Sequence, residues 1–170
     1  MEDITEAEVH DLQAYWASKI VYISQVHAEW GPFVQECETA AGKLYGYGHF
    51  PVMFKPTKAT TTPFRPDGAS AMSYFIGKTA WEAYGEGNAG CEEDGGFAIN
   101  GGDGWKSVVF TNHQIQLHGP IAFAMGSYVF TNLKTGQEVT VEYTFGYKRC
   151  EDGNARIFLH HSSVPYHAAH

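Results

Sequence analysis

From Glu138 to Lys148 apolar and polar residues alternate without a break. Val139, Val141, Tyr143, Phe145 and Tyr147 stand against Glu138, Thr140, Glu142, Thr144, Gly146 and Lys148. A period of two is that of a β-strand with one face packed and the other wet or in an interface. Such a strand cannot bury its apolar face alone, so the chain must supply both a sheet to pair it and a layer to cover it. The sheet is legible in residues 105–111, 115–130, 138–149 and 156–164, rich in strand formers and separated by turn residues such as Lys134-Thr-Gly136 and Asp152-Gly-Asn154.

The covering layer comes first in the chain. Thr5-Glu-Ala-Glu8 fits a capping box, and Val9, Leu12, Trp16, Ile20, Ile23, His27 and Trp30 follow at steps of three and four. This predicts a long amphipathic helix, broken by Gly31-Pro32. A second helix over residues 32–45 should bury Phe33, Cys37, Ala40 or Ala41, and Leu44. Residues 50–57 (FPVMFKPT) read as a strand that Pro56 confines to an edge or a bulge. Pro66-Asp67-Gly68 starts a short helix over 69–76, and the Gly- and acid-rich stretch 82–104 reads mainly as loop. Helices first and an antiparallel sheet last is an α+β plan, a bent sheet over a long helix with a cavity between them. At 170 residues it is expected to be a single domain, 1–170.

Composition narrows the partners. With 11 Lys and Arg against 19 Asp and Glu, the net charge of −8 argues against nucleic acid or an anionic membrane as the main partner. No apolar run approaches the roughly 18 residues that span a bilayer. The acidic first residues, MEDITEAEVHD, do not read as a secretory or transit segment. Three cysteines, Cys37, Cys91 and Cys150, exclude a complete disulfide framework. A Cys91–Cys150 bridge stays open, and free thiols are the expectation.

The stretch LHHSSVPY (159–166) carries the chemistry. Strict alternation along the last strand puts His161 and Ser163 on the face of Ile157 and Leu159, and His160 and Ser162 on that of Phe158. A polar pair entering an apolar face is either a satisfied core hydrogen bond or the polar end of a pocket, and the pocket is the reading taken. Adjacent strand histidines point apart, and no HxH, HExxH or cysteine cluster supplies the three or four ligands of a zinc site, so no metal is expected. On the strand 50–57, Met53, Lys55 and Thr57 share a face, which brings Thr57 to the cavity with Lys55 near its rim. The alternative is an edge blunted by lysine and proline. Tyr74 in the short helix is a further candidate, beside Ser127 and Tyr128. The acidic loop Cys91-Glu-Glu-Asp94 lacks the spacing of a calcium loop and reads as solvated charge.

Together, FKPTKA (54–59), SYFIG (73–77), VEYTFGY (141–147) and LHHSSVPY resemble the iota class of carbonic anhydrases. That class belongs to the NTF2-like superfamily and is related to the association domain of calcium/calmodulin-dependent protein kinase II. The likeness runs from about residue 16 to residue 166. It implies a cone-shaped α+β fold, dimerisation through the outer sheet face, and reversible hydration of CO₂ to bicarbonate without a cofactor. Carried over, the pocket groups are Thr57, Tyr74, His161 and Ser163, with His161 helping to remove a proton from water. Lys55, Ser127, Tyr128 and His160 are secondary substrate-binding candidates. The runner-up is a non-catalytic assembly hub that holds a small carboxylate.

Overall fold

The computed structural model describes residues 1–167; the end of the tail 167–170, which matches no motif, lies outside them. Helix α1 (Glu6–Ala28) starts at Thr5, whose side chain accepts from the Glu8 N–H while the Glu8 carboxylate reaches back to the Thr5 N–H, the expected reciprocal cap. Val9, Trp16, Ile20 and Ile23 are buried along it. Helix α2 (Phe33–Leu44) buries Val34, Cys37, Ala40 and Leu44, with Phe33 half-buried against the His27 ring. Helix α3 (Gly68–Ile76) is capped by Asp67, whose side chain accepts from the Ser70 N–H. Helix α4 (Lys78–Tyr84) and a 3-10 helix (Phe97–Gly102) lie partly or wholly within the stretch read as loop.

Five strands form one sheet in the order β1-β5-β4-β3-β2. They are β1 (Met53–Lys55), β2 (Trp105–His118), β3 (Ile121–Asn132), β4 (Glu138–Arg149) and β5 (Ala155–Ser163). The expected strand over 115–130 is two strands, because Gly119 with φ +62° and Pro120 turn the chain between β2 and β3. The sheet is antiparallel except at one edge, where β1 runs parallel to β5. Val141, Tyr143, Phe145 and Tyr147 of β4 are buried, and Glu142 is exposed, as the alternation requires. Trp16 of α1 packs its ring against Phe110, Tyr128, Phe130 and Phe145, so the helix covers the inner face at its centre.

Three register shifts interrupt the ladder, the first between Trp105 and Ser107 at the start of β2. Pairing shifts register between Asn112 and Gln114 on β2, leaving His113 without a partner, and the neighbouring Asn112 amide exchanges two hydrogen bonds with Gln13 of α1, at 2.7 and 2.8 Å. On β5 the register shifts opposite Gly146 and Tyr147: Gly146 faces Leu159 and Tyr147 faces Ile157, leaving Phe158 without a partner. This is a β-bulge, in which one extra residue reverses the inward and outward parity beyond it. All three cysteines are free thiols.

Candidate active site

The bulge decides which half of the HHSS motif enters the molecule. Ile157 is buried, Phe158 and Leu159 are half-buried, and from there His160 and Ser162 turn inward, at 3% and 1% exposure. His161 is exposed and Ser163 half-buried on the outer face. Strict alternation had placed His161 and Ser163 inside; the unpaired Phe158 consumes one step and inverts that assignment. The outward pair lines a shallow depression with Ser127, Met125, Glu142 and Thr144. Ser127 thus also lies away from the cavity, in register with Glu142. Lys55 pairs in register with His161 and shares its outward face, so it does not reach the cavity rim.

Inside, a small cavity is bounded by Trp16, Phe54, Thr57, Tyr74, Phe75, Phe97, Tyr128, His160 and Ser162. Its free space fits about a single water-sized molecule. Four of the candidate residues, Thr57, Tyr74, Tyr128 and His160, meet here. Thr57 arrives by a different route from the one alternation suggested. The strand stops at Lys55, Met53 of the supposed shared face is exposed, and the turn after buried Pro56 brings Thr57 to the wall.

The His160 imidazole is stacked between Phe145, with ring centroids 4.0 Å apart, and Phe54, at 4.9 Å. Its Nδ1 lies 2.8 Å from the Tyr45 hydroxyl. Its Nε2 lies 2.8 Å from Ser162 Oγ and 3.1 Å from Tyr128 Oη, and those two hydroxyls are hydrogen-bonded to each other. Burial, and secondarily the neighbouring His161, pushes the His160 pKa down to about 3, so the ring is neutral near pH 7. Burial likewise raises the Tyr45, Tyr128 and Tyr74 phenols above their usual range, keeping them protonated as donors. Tyr74 stacks on Phe97, and its hydroxyl accepts from the Lys58 N–H at 3.3 Å. Tyr45 was missed because in sequence it is only the apolar end of α2; nothing local marks a hydroxyl that meets β5.

The segment bearing Thr57 is held from beneath. Arg65, fully buried, makes a two-pronged ion pair with Asp94 at 2.6 and 2.8 Å. Asp94 also accepts from Ser73 Oγ at 2.6 Å, and the guanidinium sits 5.7 Å from the centre of the Tyr74 ring. Glu93 accepts from the backbone N–H groups of Thr60, Thr61 and Thr62, which hold its carboxyl below the usual range. The loop read as solvated charge is therefore half structural: Glu92 is exposed, whereas Glu93 and Asp94 bind the loop before α3. Among the described residues, no group of three or more His, Cys, Asp or Glu is placed to hold a metal ion.

An aromatic cavity with a neutral imidazole and converging hydroxyls defines a class of site that can shelter a small molecule and donate hydrogen bonds to its oxygens. A family model described as metal-independent carbonic anhydrase matches residues 7–164, and the chain belongs to that family. It is 34% identical over 166 residues to a metal-independent carbonic anhydrase of Nostoc sp. strain PCC 7120, covering 96% of this chain and 75% of that protein. A cyanobacterial iota-carbonic anhydrase crystallised in complex with bicarbonate superposes with a TM-score of 0.83 at 33% identity, over 98% of this chain and 95% of that one. An NTF2-like superfamily protein of Salmonella enterica serovar Typhimurium matches at a TM-score of 0.54 and 12% identity over 96% and 92% of the chains, a likeness of fold alone.

Proposed function

We propose that the protein hydrates CO₂ reversibly to bicarbonate in the cavity between Trp16, Phe54, Phe75 and Phe97 on one side and Thr57, Tyr74, Tyr128, His160 and Ser162 on the other. The observation that carries this reading is the convergence of four hydroxyl groups and one imidazole on an aromatic cavity, in a chain that belongs to the carbonic anhydrase family. The bicarbonate bound by the cyanobacterial relative supports the same ligand here.

Because the cavity itself has room for about one water-sized molecule, CO₂, which is apolar overall, meets the water there from the adjoining pocket beyond Tyr74 and Phe97. The oxygen of a water held by Thr57 and Tyr74 adds to its carbon, and one C=O electron pair moves onto oxygen. The Ser162–Tyr128 pair, through its one proton not used between them, and Tyr74, preorganised in a site with little water, donate to the oxygens that gain charge. The proton released by water leaves through the mouth beyond Tyr74 and Phe97, where Lys58 and Asn100 face solvent. His160 takes the place in the cavity expected of His161, but a buried imidazole of low pKa is too weak a base to store that proton. It acts as a hydrogen-bonding partner.

Magnitudes set an expectation. Zinc lowers the pKa of bound water from 15.7 to about 7 and supports turnover of about 10⁶ s⁻¹. Positioned donors without it should give slower turnover. Stopped-flow CO₂ hydration on chelator-treated protein tests the reading: activity is expected to persist. Activity lost to chelator and restored by a divalent ion would refute the metal-free account. Ser162→Ala and Tyr74→Phe are each expected to lower kcat/KM by about 10²-fold, by analogy with loss of one oxyanion donor, and full activity in both would remove the cavity from the mechanism. We also infer that two copies pair through the outer sheet face, supported by Met53, Val109 and Met125 exposed there at 59%, 58% and 54%.

A further inference from the structure

Resting on the carbonic anhydrase reading, a count of the protons around His160 specifies what the cavity presents to its substrate. The Trp16 indole N–H has no lone pair to offer and can only donate, which it does to the Tyr45 hydroxyl oxygen at 3.0 Å. Tyr45 Oη lies 2.8 Å from His160 Nδ1, and these are its two hydrogen-bond partners among the described residues. The phenolic proton therefore has a single acceptor, Nδ1. A neutral imidazole that accepts at Nδ1 carries its own hydrogen at Nε2.

That hydrogen points at Ser162 and Tyr128. The two hydroxyls share one hydrogen bond, so one of their two protons lies between them. Because Nε2–H is itself a donor, the second proton has no protein acceptor in the triad and faces the cavity. With the imidazole reversed, Nε2 would accept that proton, and the pair would turn a lone pair to the cavity instead. We propose that Trp16 and Tyr45 are positioning residues that hold His160 in its Nε2–H form, so that Ser162 and Tyr128 meet the substrate as a hydrogen-bond donor, matched to a bicarbonate oxygen rather than to proton abstraction from water.

Imidazole ¹⁵N NMR on the intact protein, with the His160 signals assigned by loss in His160→Gln, reads this directly. The expected spectrum has a pyrrole-type Nε2 and a pyridine-type Nδ1. Tyr45→Phe should move both nitrogens toward a tautomer average and raise KM for bicarbonate about tenfold, the scale of one lost buried hydrogen bond. Trp16→Phe, which keeps the phenol but removes its donor, should shift the signals less. A protonated Nδ1 in the wild-type protein overturns the proposal, as does an unchanged tautomer in Tyr45→Phe. Should that variant not fold, the wild-type spectrum still decides. Failure of the wild-type protein to hydrate CO₂ would strike the enzymatic reading, a separate outcome from the tautomer.

Discussion

At the scale of single residues, His160 concentrates the site's chemistry and its cost. The unfolded chain would titrate this imidazole near 6.5, the folded protein near 3. Between those values the unfolded state binds the extra proton, so stability is complete above pH 6.5 and falls as pH drops through the window, by up to about 1.4 kcal/mol per pH unit. Denaturant midpoints measured from about pH 7 to about pH 4 should show this loss in the wild type and a smaller one in His160→Gln. Equal slopes would mean that burial does not hold the ring neutral. The two halves of HHSS should separate equally cleanly: His161→Ala, on the outer face, is expected to keep kcat within about twofold, whereas Ser162→Ala is not. The motif was visible in sequence, but its direction was not, because periodicity counts residues and cannot see that one of them is unpaired.

Among elements, the β5 bulge and the clamp under residues 57–65 place the cavity groups. A Cβ added to Gly146 would come within 2.9 Å of the Phe158 ring and 3.0 Å of Leu159 Cβ, so the bulge occupies space that only glycine leaves open. Gly146→Val should cost about 1–3 kcal/mol by overpacking and should lower activity as well, since the bulge sets the inward turn of His160. A thermal melt alongside the hydration assay checks both; a stable, active variant would show that β5 needs no such room. That glycine, inside an otherwise apolar and polar alternation, was the available sign of a bulge. Asp94→Ala removes the two-pronged partner of buried Arg65, leaving it only the longer 3.8 Å ion pair with Glu93, and is expected to destabilise by about 3 kcal/mol, read by chemical denaturation. Sequence placed Asp94 in an acidic run that resembles solvent-facing charge; its partner lies 29 positions earlier, and no local pattern reports such a pairing.

For the molecule as a whole, the inner sheet face is spent on the helices and the cavity, which leaves the outer face for association. Light scattering should report a dimer, and Val109→Glu combined with Met125→Glu should return a monomer with its CO₂ hydration largely retained. A wild-type monomer at high concentration would remove the pairing. Sequence alone determined the division of labour: the capped amphipathic α1, the alternating β4, and a histidine and serine pair beside Thr57 and Tyr74. These follow from periods, caps and residue chemistry, which act over a few neighbouring positions. Only the tertiary structure decided which histidine and serine turn inward, that β1 lies parallel to β5 so that Phe54 can stack on the imidazole, and that Tyr45 reaches it from α2. Those outcomes depend on strand register and on contacts between residues more than a hundred positions apart, where packing, not local preference, selects the arrangement.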